Sequence, residues 1–175
     1  MPQIRGFPPI SRADAQILIL GSMPSKESLR SQQYYAHPRN GLWPILGGLF
    51  KTQTPDWPAK VRLLHDKRIA LWDVLQCCTR KGSLDSAIDM SSVVVNDFET
   101  LFCEHADITH VFFNGAKAEQ MYRRHVLPAL PQGPASLSLQ RLPSTSPAHA
   151  SLNFEQKKSA WRVILETLQS VHQKA

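Results

Sequence analysis

The most concentrated group of chemically useful side chains lies in residues 33–43, QYYAHPRNGLW. The ring of Tyr34 or Tyr35 can stack on a nucleic-acid base, and Arg39 can bind a phosphate. Asn40 also has a structural interpretation, because it precedes a helical pattern and its side chain can cap that helix. On composition alone, a binding function and a structural one account for this segment equally well.

A second candidate is the loop GSMPS, residues 21–25, which follows an apolar run. Gly21 lets the backbone turn, Pro24 sets its exit, and the amides of such a loop can face an anionic ligand. A plain tight turn is the alternative. The loop matches neither the phosphate-binding P-loop nor the dinucleotide-binding glycine pattern.

Two further polar groups also follow apolar runs. Asp73 can cap the next turn or form a hydrogen bond with a polar ligand. The segment PSTSPAH, residues 143–149, offers three hydroxyl groups that suit phosphate oxygens, although it also fits an ordinary turn. His149 lies at its end, either on the surface or facing the site.

The elements that must position these groups follow from the apolar pattern. Four short apolar runs predict buried strands, and helical patterns separate them. The strands are expected at residues 16–20, 69–73, 110–114 and 136–142. The helices are expected at residues 42–49, 58–66, 93–103, 116–126 and 154–171. Residues 78–88 are interpreted as a loop entering a helix, and residues 127–136 as a long loop. The alternation predicts an α/β fold with a mainly parallel sheet.

This arrangement predicts where a ligand binds. In open α/β sheets, ligands lie beyond the carboxyl ends of the strands. Those ends carry residues 21–25, Asp73, the pair Asn114-Gly115 and residues 143–149. We therefore expect one site where these four segments converge.

Size and charge narrow the class of protein. The 175 residues, 42% of them hydrophobic, suit one domain over residues 1–175, with a core at about residues 14–171. The net charge of +6 permits a polyanionic partner and argues against an acidic or disordered chain. We find no apolar run long enough to span a membrane and no signal peptide, so a cytoplasmic protein is expected.

Absent patterns exclude several kinds of site. Three cysteines, at positions 77, 78 and 103, do not form a disulfide framework or a four-cysteine metal site within this chain. Cys77 and Cys78 are expected to be buried, because no activating base is nearby. The signatures of zinc deaminases, HExxH metalloproteases and serine hydrolases are also missing.

Taken together, the order and spacing of these strings resemble the uracil-DNA glycosylase superfamily. Its glycine-proline loop after the first strand and its second motif after the last strand are similar to residues 21–25 and 142–147. The more specific similarity is to the hypoxanthine-DNA glycosylase family, whose GSMP and QYYAHP-x-N-x-(F/L)W patterns are nearly complete here. Its LWDV-x-x-x-C-x-R-x-GSLD-x-x-I and LPSTSPA segments are also present, so the resemblance covers about residues 16–161.

Some positions depart from the superfamily's pattern. Met23 stands where most branches have the Asp or Asn that places the attacking water, and Leu142 stands where the second motif usually begins with His. The resemblance to the hypoxanthine family therefore moves the catalytic role to Asn40. The bulky wedge residue of the second motif is also absent, with Thr145 and Ser146 near its place.

The resemblance implies a single-domain, three-layer αβα fold with a short, mainly parallel four-stranded sheet. It also implies that a deaminated base, hypoxanthine above all, is flipped out of single- or double-stranded DNA. Tyr35 is expected to stack on that base while neighbouring groups read its edge. The expected base-binding residues are Gly21, Ser22, Met23, Tyr35, Asp73 and Asn114. The expected DNA-binding residues are Ser25, Arg39, Ser144, Thr145, Ser146 and His149.

The implied reaction is hydrolysis of the N-glycosidic bond. Asn40 is expected to orient a water molecule toward the sugar carbon, since an amide cannot take its proton. His149 is expected to act as an acid or a phosphate contact. No lysine is placed for a Schiff base, so we expect a monofunctional enzyme that leaves an abasic site. We also expect a monomer that needs no metal or cofactor.

Three alternatives remain open at this point. The first is a uracil- or mismatch-specific glycosylase of the same superfamily, although Met23 argues against strong uracil activity. A non-catalytic nucleic-acid-binding domain keeps the fold without the chemistry. An α/β domain that binds a nucleotide or another small molecule would show weak salt dependence and no preference for DNA. The resemblance favours a glycosylase of the bacterial cytosol or nucleoid.

Overall fold

A computed structural model describes residues 3–130 and 137–174 of the chain. The strands are β1 (Gln3–Arg5), β2 (Ile17–Gly21), β3 (Ile69–Asp73), β4 (Leu75–Arg80), β5 (Ile88–Val95), β6 (His110–Asn114) and β7 (Ser138–Leu142). The helices are α1 (Lys26–Ser31), α2 (Leu42–Phe50), α3 (Trp57–Asp66), α4 (Phe98–Glu104), α5 (Ala116–Met121), α6 (Phe154–Trp161) and α7 (Val163–Lys174).

The four predicted strands form one parallel sheet in the order β3-β2-β6-β7. Every residue of β2 and β3 is buried. Successive side chains of a strand point to opposite faces, so both faces of these strands are covered. The helices α3 and α5 pack against β3 and β6. The predicted α/β fold with a four-stranded parallel sheet is therefore confirmed.

A second, antiparallel sheet in the order β1-β4-β5 is absent from our prediction. The expectation that residues 78–88 form a loop entering a helix is wrong. They include the end of β4, a short 3-10 turn at Asp85–Ala87 and the start of β5. Cys77 and Cys78 lie in β4 and are buried, as predicted.

The expected helix over residues 93–103 is also wrong in its first half. Three consecutive valines finish β5, because β-branched residues fit a strand better than a helix. The helix α4 begins only after Asp97, whose carboxylate accepts a hydrogen bond of 3.0 Å from the backbone N–H of Thr100.

Other helix boundaries differ less from the prediction. The helix expected over residues 154–171 is two helices that meet at Arg162. Asn153 begins the first of them with the predicted capping box. Residues 122–126 form a π-helical turn after α5 rather than continuing it. Of the predicted loop at residues 127–136, residues 131–136 lie outside the described residues, as does Ser136 of the last predicted strand.

No helix in the described part of the chain is both long enough and apolar enough to cross a membrane.

Candidate active site

The carboxyl ends of the parallel strands surround a cavity of about 480 Å³, as the fold class predicts. This volume is within the roughly 300–1,000 Å³ of small-molecule sites. All the predicted site residues except Arg39 line it, together with residues that the prediction did not include. The predicted lining residues are Gly21, Ser22, Met23, Ser25, Tyr35, Asn40, Asp73, Asn114, Ser144, Thr145, Ser146 and His149.

Three residues form a tight group within the cavity wall. Gly21 ends β2 and lies in register with Asp73 at the end of β3. A Cβ atom at position 21 would overlap Oδ1 of Asp73 and the hydroxyl of Tyr35. Glycine is therefore required here by the close approach of the carboxyl and the phenol. Tyr35 itself has a left-handed backbone, with φ of 54°, which is a strained conformation for a tyrosine.

Asp73 is a buried carboxyl group that still has bonding capacity. Its residue is 3% exposed, and its Oδ2 has no hydrogen-bond partner among the described residues. Burial, together with the nearby charge of Asp85, raises the pKa of Asp73 to about 7, although the charge of Arg80 opposes the rise. Near neutral pH this carboxyl group can therefore donate or accept a hydrogen bond.

Tyr34 and Tyr35, which the sequence does not distinguish, have different roles. Tyr34 is buried, and its hydroxyl donates a hydrogen bond of 2.8 Å to the carbonyl of Pro8. Its own carbonyl accepts one of 3.0 Å from the indole N–H of Trp43. Tyr34 therefore anchors the loop, whereas the hydroxyl of Tyr35 is buried beside Gly21 and has no described partner.

Asn40 is held by a chain of hydrogen bonds that crosses the cavity. Its Oδ1 accepts from the hydroxyl of Thr145 at 2.9 Å and from the backbone N–H of Leu42 at 3.0 Å. The same hydroxyl accepts from Nδ2 of Asn114 at 2.9 Å. Because an N–H donor must face oxygen, the orientation of the Asn40 amide is fixed. Its Nδ2 has no acceptor among the described residues and remains available to a water molecule or a substrate.

Asn40 also supports the start of α2, although the N-cap position predicted for it belongs to Gly41. The helix itself begins at Leu42, whose backbone N–H donates a hydrogen bond to Oδ1 of Asn40. The preceding backbone N–H, from Gly41, donates a hydrogen bond of 3.0 Å to the carbonyl of Thr145. The cap and the loop at residues 143–149 therefore form one connected unit.

Helix α6 fixes the loop at residues 143–149 from behind. The indole N–H of Trp161 donates to the carbonyl of Pro143 at 2.9 Å. The ammonium group of Lys157 donates to the carbonyl of Ser146 at 3.1 Å. The hydroxyls of Ser144 and Ser146 accept hydrogen bonds from nearby backbone N–H groups of the same loop. This loop is therefore a preformed part of the cavity wall.

The sequence interpretation missed the contribution of residues 80–85. Ser22 donates a hydrogen bond of 2.7 Å from its hydroxyl to Oδ1 of Asp85. The buried guanidinium of Arg80 donates to the carbonyl of Pro24. The GSLD string, which is part of the resemblance, could have indicated this contribution. Because residues 78–88 were interpreted as a loop entering a helix, nothing placed that string at the cavity.

Two predicted DNA-binding residues lie at different distances from the cavity. Ser25 lines it and also caps α1, accepting from the backbone N–H of Ser28 at 3.2 Å. Arg39 is exposed and lies outside the cavity lining, so its contact with a phosphate stays a prediction about the surrounding surface.

Comparison with known proteins places this geometry in a family. The family model described as the uracil DNA glycosylase superfamily matches residues 8–169. A protein from Methanosarcina acetivorans named hypoxanthine DNA glycosylase is 40% identical over 116 residues, which are 65% of this chain and 72% of that protein. A protein of the same name from Methanosarcina barkeri is 35% identical over 116 residues, with the same coverage.

A solved structure agrees with these matches. It is the solution NMR structure of a candidate uracil DNA glycosylase from Methanosarcina acetivorans, with 34% sequence identity and a TM-score of 0.77. The match covers 96% of this chain and 99% of that one. The chain belongs to the uracil DNA glycosylase superfamily.

Proposed function

We propose that this protein is a monofunctional DNA glycosylase that flips a deaminated base, above all hypoxanthine, out of DNA and hydrolyses its N-glycosidic bond. The observation that carries the proposal is the oriented amide of Asn40, which shares one cavity with the carboxyl of Asp73, whose Oδ2 has no partner among the described residues. Membership in the superfamily supports the activity. The two relatives named hypoxanthine DNA glycosylase support the choice of base.

The carboxyl of Asp73 provides a way to select the base. A buried polar atom without a partner is unfavourable, and a bound base would supply the missing hydrogen bond. Hypoxanthine carries an N–H where adenine carries a bare ring nitrogen. An ionised Asp73 accepts a hydrogen bond from the former and repels the lone pair of the latter. Tyr35, beside Asp73, is the ring that stacks on the base in this proposal.

The amide of Asn40 is suited to holding the attacking water. As the bond between the sugar carbon and the base breaks, positive charge develops on the sugar and the electron pair leaves with the base. Water adds its oxygen to the sugar carbon and loses a proton, and the base gains one. Asn40 takes no proton in this step and acts through the position of its Nδ2. No lysine is among the described residues that line the cavity, which supports hydrolysis rather than a Schiff-base route.

The surface around the cavity suits a nucleic-acid backbone. Three exposed basic residues lie in or next to residues 21–43 of the sequence: Lys26, Arg30 and Arg39. The chain as a whole carries a net charge of +6. Exposed cations bind phosphates and make affinity depend on salt. In this proposal, Ser144, Ser146 and His149 contact the strand at the rim of the cavity.

The test is a glycosylase assay without added metal. Duplexes with one inosine, one uracil or only normal bases are incubated with the protein, and alkali then reveals abasic sites. We expect release at inosine, reduced by about 100-fold or more in Asn40→Ala. Asn153→Ala is the matched control, because Asn153, like Asn40, accepts a hydrogen bond from a backbone N–H at the start of a helix but lies outside the cavity lining.

Each outcome separates the candidate functions. Release only at uracil would contradict the hypoxanthine assignment and favour the activity named for the solved relative. Salt-dependent DNA binding without release of any base would indicate a non-catalytic nucleic-acid-binding domain. Equal activity of wild type and Asn40→Ala would refute the role of Asn40 while leaving the activity in place.

A further inference from the structure

One large apolar side chain is exposed at the rim of the cavity. Leu84 is 57% exposed and belongs to the cavity lining. The other large hydrophobic residues that are exposed in the described part of the chain lie outside the lining; they are Val94, Leu127 and Phe154. Leu84 therefore combines exposure with a place in the cavity wall, which isolated surface leucines lack.

The segment that carries Leu84 is braced on both sides. The hydroxyl of Ser83 accepts a hydrogen bond of 3.0 Å from the backbone N–H of Lys26. The carboxylate of Asp85 accepts one of 2.7 Å from the hydroxyl of Ser22. Both donors belong to residues 22–26, the segment that follows β2, and Ser22 lines the cavity. The position of Leu84 is consequently tied to the wall against which the base would lie.

The base of the same segment is fixed by a buried cation. Arg80 is 6% exposed; its Nε donates to the carbonyl of Gly82 at 3.1 Å, and its guanidinium also donates to the carbonyl of Pro24. This segment therefore presents an apolar side chain from a rigid support. A rigid support reduces the conformational entropy lost when the side chain is inserted into a partner.

Exposed basic side chains lie close to Leu84. Lys26 and Lys81 are exposed and lie together along a second shallow hollow beside this segment. An apolar tip flanked by cations fits duplex DNA, which offers stacked bases between two charged backbones. The loop at residues 143–149 contributes mainly hydroxyls and small groups to the rim, which fill a gap between bases poorly.

We propose that Leu84 inserts into the base stack of duplex DNA and occupies the space that the flipped base leaves. This inference rests on the proposed function, because it assumes that a base leaves the stack. Insertion of apolar side chains between base steps is an established way for proteins to distort DNA. Leu84 thereby helps to extrude the base and takes no part in breaking the bond.

The test compares single-stranded with duplex substrates. Leu84→Ala is expected to slow release of hypoxanthine from the duplex by about 10-fold or more, from the lost apolar burial. Release from single-stranded DNA should stay within about twofold of wild type, because no stack has to be filled. Leu127→Ala, an exposed leucine outside the cavity, is the matched control and should leave both rates unchanged. Leu84→Met should restore most of the duplex rate.

A second measurement reads base extrusion without cleavage. A 2-aminopurine placed beside the inosine becomes fluorescent when its stacking is lost, and Leu84→Ala should reduce that signal in the bound duplex. Equal losses on both substrates, or an unchanged fluorescence signal, would overturn the role of Leu84. Failure of the proposed function would be distinguishable, because wild type itself would then release no base from either substrate.

Discussion

Asp73→Asn is expected to make the protein more stable at neutral and alkaline pH, although it alters the cavity wall. Asparagine has nearly the shape of a protonated aspartic acid and carries no charge to bury. In the wild type, the carboxyl is 3% exposed, and one of its oxygens has no described partner. Burial removes this carboxyl group from water and therefore opposes its ionisation.

The size and sign of the effect follow from the pKa. Burial raises the pKa of Asp73 from 3.8 to about 7 in the folded protein. Between these values the folded protein keeps a proton that the unfolded chain has released, so the free energy of unfolding falls as pH rises. The difference of about three pKa units corresponds to a loss on the order of 4 kcal/mol. Above about pH 7 the group is ionised in both states, and the loss is complete.

The measurement is urea unfolding, followed by tryptophan fluorescence, from about pH 4.5 to about pH 8.5. The stability advantage of Asp73→Asn over wild type should grow through this range and level off above about pH 7. Asp97→Asn is the control: hydrogen bonds from Thr100 lower the pKa of Asp97, so it is ionised in both states across the range. Its difference from wild type should not change with pH.

A particular result would refute this reasoning. If the difference between Asp73→Asn and wild type stays constant from about pH 4.5 to about pH 8.5, Asp73 is already ionised in the folded protein at the acidic end. The charge of Arg80 would then outweigh burial, and the carboxyl could not serve as a group that both donates and accepts near neutral pH.

Other perturbations test the same cavity. Excision of hypoxanthine should rise as pH passes about 7, because an ionised Asp73 accepts the hydrogen bond from the base; a pH–rate profile of Asp73→Asn should lack that step. Thr145→Val keeps the volume but removes the hydroxyl that holds Asn40, so we expect about 1–2 kcal/mol lower stability in urea unfolding and at least about 10-fold slower single-turnover excision; an unchanged excision rate would show that Asn40 needs no such support. Gly21→Ala should fold yet lose excision, since the new methyl group collides with the cavity wall, whereas Gly41→Ala meets only ordinary contacts and should retain it; equal rates in these two variants would contradict the close packing.

The parallel sheet could be predicted because its strands are buried on both faces. A short uninterrupted apolar run such as Ile17–Gly21 is typical of a strand in the middle of a parallel sheet. The antiparallel sheet escaped prediction for the opposite reason. Within the strand Ile88–Val95 only Ile88 is buried, and the strand contains Asp89 and two serines, so its pattern lacks a clear period. This strand forms because it pairs with Leu75–Arg80, and its own residues do not indicate that partner.

The candidate site divides in a similar way. The segments that meet at the cavity could be predicted, because parallel strands bring their carboxyl ends to one edge of the sheet. The roles of individual side chains could not. Tyr34 and Tyr35 are adjacent and chemically identical, and both line the cavity, yet the hydroxyl of Tyr34 anchors the loop to Pro8 and that of Tyr35 lies beside Gly21 without a described partner. The left-handed backbone of Tyr35 separates them, and no residue type in that segment requires it.

The sequence alone determined the chemistry available to this protein and the order in which strand ends present it, because burial patterns and residue types are local properties of the chain. The tertiary structure decided which atoms meet. Thr145 reaches Asn40 across 105 positions of sequence, and Ser22 reaches Asp85 across 63. The pKa of Asp73 likewise depends on burial and on charges brought close only by folding. Hydrogen bonds and desolvation act over a few ångströms, so spacing along the chain cannot specify them.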